Sequence, residues 1–178
     1  MLRVWVLAGL LTLSSNGFSK DTPRPTRSYD AKTNITKIQA QRMPLRVVVD
    51  PEGAFAEDSA RLDLSFAGWW LGKKCCDPNA TKTFSLTLIS VSEGPKLVKR
   101  HDLSLEIDGQ RTRLLDLQFS RSLDQGKEIE VVAAGIRDTD VQKILTAKLT
   151  RIGVGSVTAE LDARELAKLR EFVAAFRP

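Results

Sequence analysis

The chain has 178 residues, 42% of them hydrophobic and 28% charged, with 27 Lys and Arg against 22 Asp and Glu. These proportions exclude an intrinsically disordered chain, and the length leaves room for one sizeable core rather than two. The formal net charge of +5 is dispersed, with no block of five basic residues, so it reads as a solubilising surface, and nucleic acid is not an expected partner.

Residues 1–19 read as an address rather than as structure. Arg3 supplies a short positive region, Val4 to Leu13 is a nearly unbroken apolar run, and Gly17-Phe18-Ser19 places small residues where a signal peptidase cuts. The run is shorter than the roughly 20 residues that cross a bilayer. The expectation is a cleaved secretory signal, a mature chain beginning near Lys20, and a secreted or periplasmic location with no transmembrane segment after cleavage. No Cys stands just after the apolar run, which argues against bacterial lipid attachment.

Residues 20–28 hold Pro23 and Pro25 and no apolar anchor, so they read as a linker, with the folded domain spanning 29–178. From Tyr29 to about Ala134 the dominant period is two. Leu62, Leu64, Phe66, Gly68 and Trp70 alternate with Arg61, Asp63, Ser65, Ala67 and Trp69, as in a half-buried strand. Phe84, Leu86 and Leu88 alternate likewise, but the apolar parity then slips to Ile89 and Val91, which suggests a β-bulge. Leu103, Leu105 and Ile107 lead to Asp108-Gly109, a hairpin signal. Beyond that turn Leu115, Leu117 and Phe119 would face the wrong side, and a second bulge near Leu114-Leu115 is the favoured remedy. Weaker strands are expected at 34–40, 45–49 and 128–134.

Residues 138–147 predict a short helix capped by Asp138 or Asp140, with Val141, Ile144 and Leu145 inward. Strands at 148–154 and 156–161 follow, with a turn near Gly155. The last element, 162–176, is a helix with Asp162 as N-cap, Glu165 as its capping-box partner, a Leu161/Leu166 staple, and a stripe of Leu166, Leu169, Phe172, Val173 and Phe176. The fold expected from this pattern is mainly β: a single antiparallel β-sandwich of seven to nine strands, with the short helix near 138–147 and the C-terminal helix near 162–176.

Three features together carry a resemblance: Tyr29-Asp30 with Asn34-Ile35-Thr36, Asp108-Gly109 before a basic strand, and the run from the 141–147 helix to the capped terminal helix. In these the chain resembles a loosely defined, uncharacterised family of exported bacterial proteins, over most of Tyr29 to Phe176. The resemblance implies a bacterial envelope setting and a β-rich fold. It brings no activity and no catalytic residue.

Few residues suggest chemistry. Cys75 and Cys76 are adjacent, and a trans peptide holds their Cα atoms about 3.8 Å apart, below the usual disulfide span. A strained vicinal clip, separate or intermolecular thiols, and a redox pair are the open readings. With His101 as the single histidine, no metal-ligand spacing exists, and no metal or cofactor is implied. Asp102 is poorly placed to orient His101, since neighbours on a strand face opposite ways, and His101 is expected in solvent. Of Trp69 and Trp70 one ring should be buried and the other outward. An outward Trp69 near Lys73 and Lys74 would offer a ligand or partner surface. Lys96, Lys99, Arg100, Arg111 and Arg113 form a candidate anion-binding rim at one hairpin end, although exposed ion pairs explain them equally well.

The leading functional expectation is an exported, non-enzymatic binding or structural module, its partner an envelope protein or polysaccharide. Thiol redox chemistry at Cys75-Cys76 and weak adhesion to anionic envelope polymers are the alternatives.

Overall fold

The computed structural model describes residues 25–56, 60–73, 83–97 and 102–176. In chain order the elements are β1 (Thr26–Asp30), β2 (Ile35–Gln39), β3 (Met43–Pro44), β4 (Arg46–Val49), β5 (Arg61–Leu71), β6 (Thr83–Ser92), β7 (Leu103–Ile107), β8 (Gln110–Arg113), β9 (Gln118–Asp124), β10 (Lys127–Ile136), α1 (Asp138–Thr146), β11 (Thr150–Val154), β12 (Val157–Leu161) and α2 (Ala163–Ala174). The fold is mainly β and antiparallel, with a C-terminal helix, as the alternation predicts. Two details differ. Twelve strands, not seven to nine, occur among the described residues, and they form two separate sheets rather than one sandwich.

One sheet has seven strands, in the order β1-β2-β5-β6-β10-β9, with β3 also paired to β5; the other runs β4-β12-β11-β7-β8. The inward face of the first carries Leu62, Leu64, Phe66 and Trp70 from β5 with Phe84, Leu86 and Leu88 from β6. The second contributes Leu103, Leu105, Ile152, Val154, Val157, Ala159 and Leu161. These join α1 and α2 in a single apolar cluster.

The terminal helix forms where its cap and stripe place it. The Asp162 side chain accepts hydrogen bonds from the backbone N–H groups of Arg164 and Glu165, at 2.7 and 3.1 Å. Hydrogen bonding with the Glu165 side chain and those two N–H groups holds the Asp162 carboxyl below its usual range; burial and Asp162 itself push Glu165 up. Phe172 and Phe176 from this end of the chain pack against Phe66, Phe84 and Trp70 of the seven-stranded sheet. Gly68 makes that packing possible. A Cβ there would overlap the Phe176 ring and come within 2.9 Å of Phe84 Cδ1.

Several local expectations are corrected. The strand β6 carries no bulge: its register with β5 and with β10 is continuous from end to end. Ile89 and Val91 turn to the outward face, beside Val131 and Ile129 of β10, while the inward face becomes polar at Ser90 and Ser92. Nor does a bulge relieve the Leu114-Leu115 conflict. Leu114 still donates to the Leu103 carbonyl at 2.8 Å, then the chain leaves the five-stranded sheet through Leu115–Leu117 and enters the other as β9. The face reversal is absorbed by changing sheets. Residues 26–28, expected in a linker with Pro23 and Pro25, pair instead with β2 as part of an edge strand. Arg27 secures them, donating to the Lys73 carbonyl at 2.7 Å with its guanidinium 5.4 Å from the Trp70 ring centre. In α1 neither Asp138 nor Asp140 caps. Arg137 is the N-cap residue, and its guanidinium grips the buried Asp140 through Nε–Oδ2 and Nη2–Oδ1 bonds of 2.7 and 3.1 Å.

Asp108 and Gly109 form the expected turn, both at positive φ (48° and 84°). The Asp108 carboxylate also accepts from the N–H groups of Lys148 and Leu149, at 3.0 and 2.9 Å. A residue that begins as a turn former thereby anchors the connection between α1 and β11.

Candidate interaction surface

The outward face of the five-stranded sheet is built from alternate residues of its strands. Register places Arg46 (β4), Glu160 (β12), Arg151 (β11), Glu106 (β7) and Arg111 (β8) in one row, one residue from each strand. Their charges alternate. Arg46 Nη2 lies 3.0 Å from Glu160 Oε1, Arg151 Nε 3.3 Å from Glu160 Oε2, and Arg151 Nη1 3.5 Å from Glu106 Oε1. At about 4.8 Å between strands the row spans roughly 19 Å. Exposed pairs of this kind contribute little stability each, but the row fixes where the guanidinium groups lie.

Arg111 closes the row differently, donating from Nε to Ser104 Oγ at 3.1 Å. Gly153 lies beneath them. A Cβ at that position would sit 2.6 Å from Ser104 Oγ and 3.2 Å from Arg111 Nη2. The missing side chain is what lets the guanidinium lie flat on the sheet. Arg113 stands opposite Ser104 on the same face as Arg111. Arg46, Arg111, Arg113 and Arg151 against Glu106 and Glu160 leave this face two positive charges in excess.

No protein-family model, curated protein or solved structure matches this chain.

Of the residues expected in an anion-binding rim, the structure brings Arg111 and Arg113 together. Lys96 lies elsewhere, after β6, where its backbone N–H donates to Glu130 at 2.6 Å; Lys99 and Arg100 lie outside the described residues. Glu106 stands between Arg151 and Arg111 in the charged row. Trp70 is the buried ring and Trp69 the half-buried one on the opposite face of β5, in register with Lys37 and Thr83. Lys73 does not share that face. Its ammonium lies 5.9 Å from the ring centre of Tyr29, whose strand register puts it on the Trp70 side. Lys74, Cys75, Cys76 and His101 lie outside the described residues. The Arg151–Glu160 pair across the Gly155 turn and Glu106–Arg111 across Asp108-Gly109 were readable as facing pairs; Arg46, a hundred residues away in sequence, carried no such signal.

Two further features bear on chemistry. A hollow lined by Pro25, Ala40, Gln41, Lys168 and Glu171 has a volume of about 10 Å³, room for about one water molecule. Among the described residues no group of three or more His, Cys, Asp or Glu is placed to hold a metal ion, and no helix is long and apolar enough to cross a membrane.

The outward face of the other sheet holds a buried carboxylate, Asp63, paired with Arg61 at 2.8 Å. Burial pushes its pKa up, against the pull of Arg61 and Arg42. A folded-state pKa above the unfolded one means that the ionised form costs stability, a cost absent below the unfolded pKa and complete once pH has passed the folded value. Asp63→Asn is therefore expected to be more stable than the wild type at pH 7. The advantage should fade as pH falls through about 4. Urea melts at pH 7 and pH 3.5 check this; a variant weaker than wild type at pH 7 would show that the Arg61 pair outweighs burial.

Proposed function

We propose that the mature chain is an exported, non-enzymatic binding or structural module of a bacterial cell envelope, and that it meets its partner across the outward face of the five-stranded sheet. What supports this reading is the ordered charge row on that face. Arginines held in register, Arg111 among them over Gly153, present donors whose positions are fixed before any partner arrives, which reduces the ordering cost of binding. The excess of guanidinium favours an acidic polysaccharide or an acidic protein surface, since Arg pairs with carboxylate through a rigid fork. The secretory signal expected at residues 1–19 supplies the setting.

The test is retention of the mature protein on acidic polysaccharide purified from bacterial envelope. The wild type should bind at low ionic strength. The double variant Arg111→Glu/Arg113→Glu should bind about tenfold more weakly or worse, and 0.5 M salt should weaken the wild type likewise. Equal binding by wild type and variant would remove this face from the function.

A further inference from the structure

We infer that β9 is a self-association edge, through which two copies of the chain pair antiparallel about a two-fold axis. Among the described residues no strand lies beyond β9, and all seven of its residues are exposed. Such an edge invites another strand unless charge, proline or brevity protects it. Here β9 is the longest of the edge strands, against five residues in β1, four each in β4 and β8 and two in β3. It contains no proline and no lysine.

A second copy is the occupant because β9 reads alike in both directions. Gln118-Phe119-Ser120-Arg121-Ser122-Leu123-Asp124 is polar, apolar, Ser, Arg, Ser, apolar, polar about its centre. A two-fold axis normal to the sheet keeps inward faces on one side, so facing residues must have position numbers with an even sum. The register centred on Arg121 satisfies that rule and uses the whole strand. It sets Phe119 opposite Leu123 of the second copy, Ser120 opposite Ser122 and Gln118 opposite Asp124. An interface in which each patch meets itself requires this self-complementarity. Leu123, 69% exposed, and Phe119, 37% exposed, would exchange water for each other.

The like-charged contact is the central one, Arg121 against its copy. Each Arg121 is already held in a two-pronged pair by Glu128 of its own β10, with Nε–Oε2 at 2.8 Å, so the pairs meet as near-neutral units. By contrast β8 paired with itself in an allowed register would place Arg111 against Arg113 with no such neutralising grip. The product would be one continuous sheet of fourteen strands, seven from each copy. It would also present two charged outward faces, with the gain in avidity that bivalence brings.

Sedimentation equilibrium of the mature protein, with reductant present so that Cys75 and Cys76 cannot link chains, tests the inference. A dimer should form at concentrations of up to about 0.1 mM, and Leu123→Lys should raise its dissociation constant at least tenfold, or about 1.4 kcal/mol. Because Leu123 is exposed in the single chain, circular dichroism and the urea midpoint at low concentration should not change. Hydrogen exchange on the wild type gives an independent reading: amides of Gln118–Asp124 should become protected as concentration rises. A chain that stays monomeric to about 1 mM overturns the proposal. So does a dimer that is indifferent to Leu123→Lys and leaves the β9 amides unprotected.

Discussion

Phe172→Ala is expected to lower the unfolding free energy by about 3–5 kcal/mol, the range for truncating a fully buried aromatic. Phe172 has no exposed surface, and its ring centre lies 5.1 Å from Phe176, 6.3 Å from Phe66 and 6.4 Å from Phe84. The substitution removes the apolar area, leaves a cavity bounded by rings that cannot all collapse inward, and forfeits edge-to-face contacts with Phe84 and Phe176. The second consequence concerns α2 itself. A helix of 12 residues is marginal alone in water, so its persistence depends on this docking. Urea unfolding measures the loss. A change below about 1 kcal/mol would mean that the helix is not seated on the sheet.

Glu130→Ala should be the second severe lesion, on the order of 3 kcal/mol. Glu130 is fully buried on the inward face of β10, where its Oε2 accepts from the N–H groups of Lys96 and Leu97 at 2.6 and 2.8 Å. Alanine leaves two backbone donors without their carboxylate in a place that water reaches poorly. Glu130→Gln separates the contributions, because an amide oxygen can still accept from both N–H groups while the charge is gone. Its loss should be about half that of the alanine variant, and hydrogen exchange at Leu97 should quicken in the order wild type, Gln, Ala. Equal exchange in all three would show that the segment at 96–97 is held by something other than Glu130.

The polar patch around Glu130 also explains what the sequence concealed. The shift of apolar parity at Ile89 and Val91 has the appearance of a bulge, because alternation identifies a face only while one side of the strand stays apolar. At this end of β6 the inward positions are Ser90 and Ser92, and among the described residues the hydroxyl of Ser90, like Glu130 Oε1, has no hydrogen-bond partner. Local signals were sound wherever the responsible contacts were local: the alternation of β5, the Asp108-Gly109 turn, and the terminal helix with its Asp162 cap. They failed where partners were distant. Arg27 holds β1 through Trp70 and Lys73, and nothing near residue 27 announces that. The change of sheet after Leu114 depends on a vacancy beside β10, which a single strand cannot display. The interaction surface was half legible for the same reason, with Arg111 and Arg113 fixed by their hairpin and Arg46 brought in only by tertiary pairing.

The sheets also differ from what their separateness suggests. The five-stranded sheet draws β4, β7, β8, β11 and β12 from across the chain, and the seven-stranded sheet fills the intervals. Neither is a contiguous stretch of polypeptide, and strands of the two sheets alternate along the chain. Proteolysis in the loop between β8 and β9, for instance, would leave strands of both sheets on both pieces. Loss of order in this molecule should accordingly spread through both sheets at once, and the last backbone amides to exchange with solvent should include some from each.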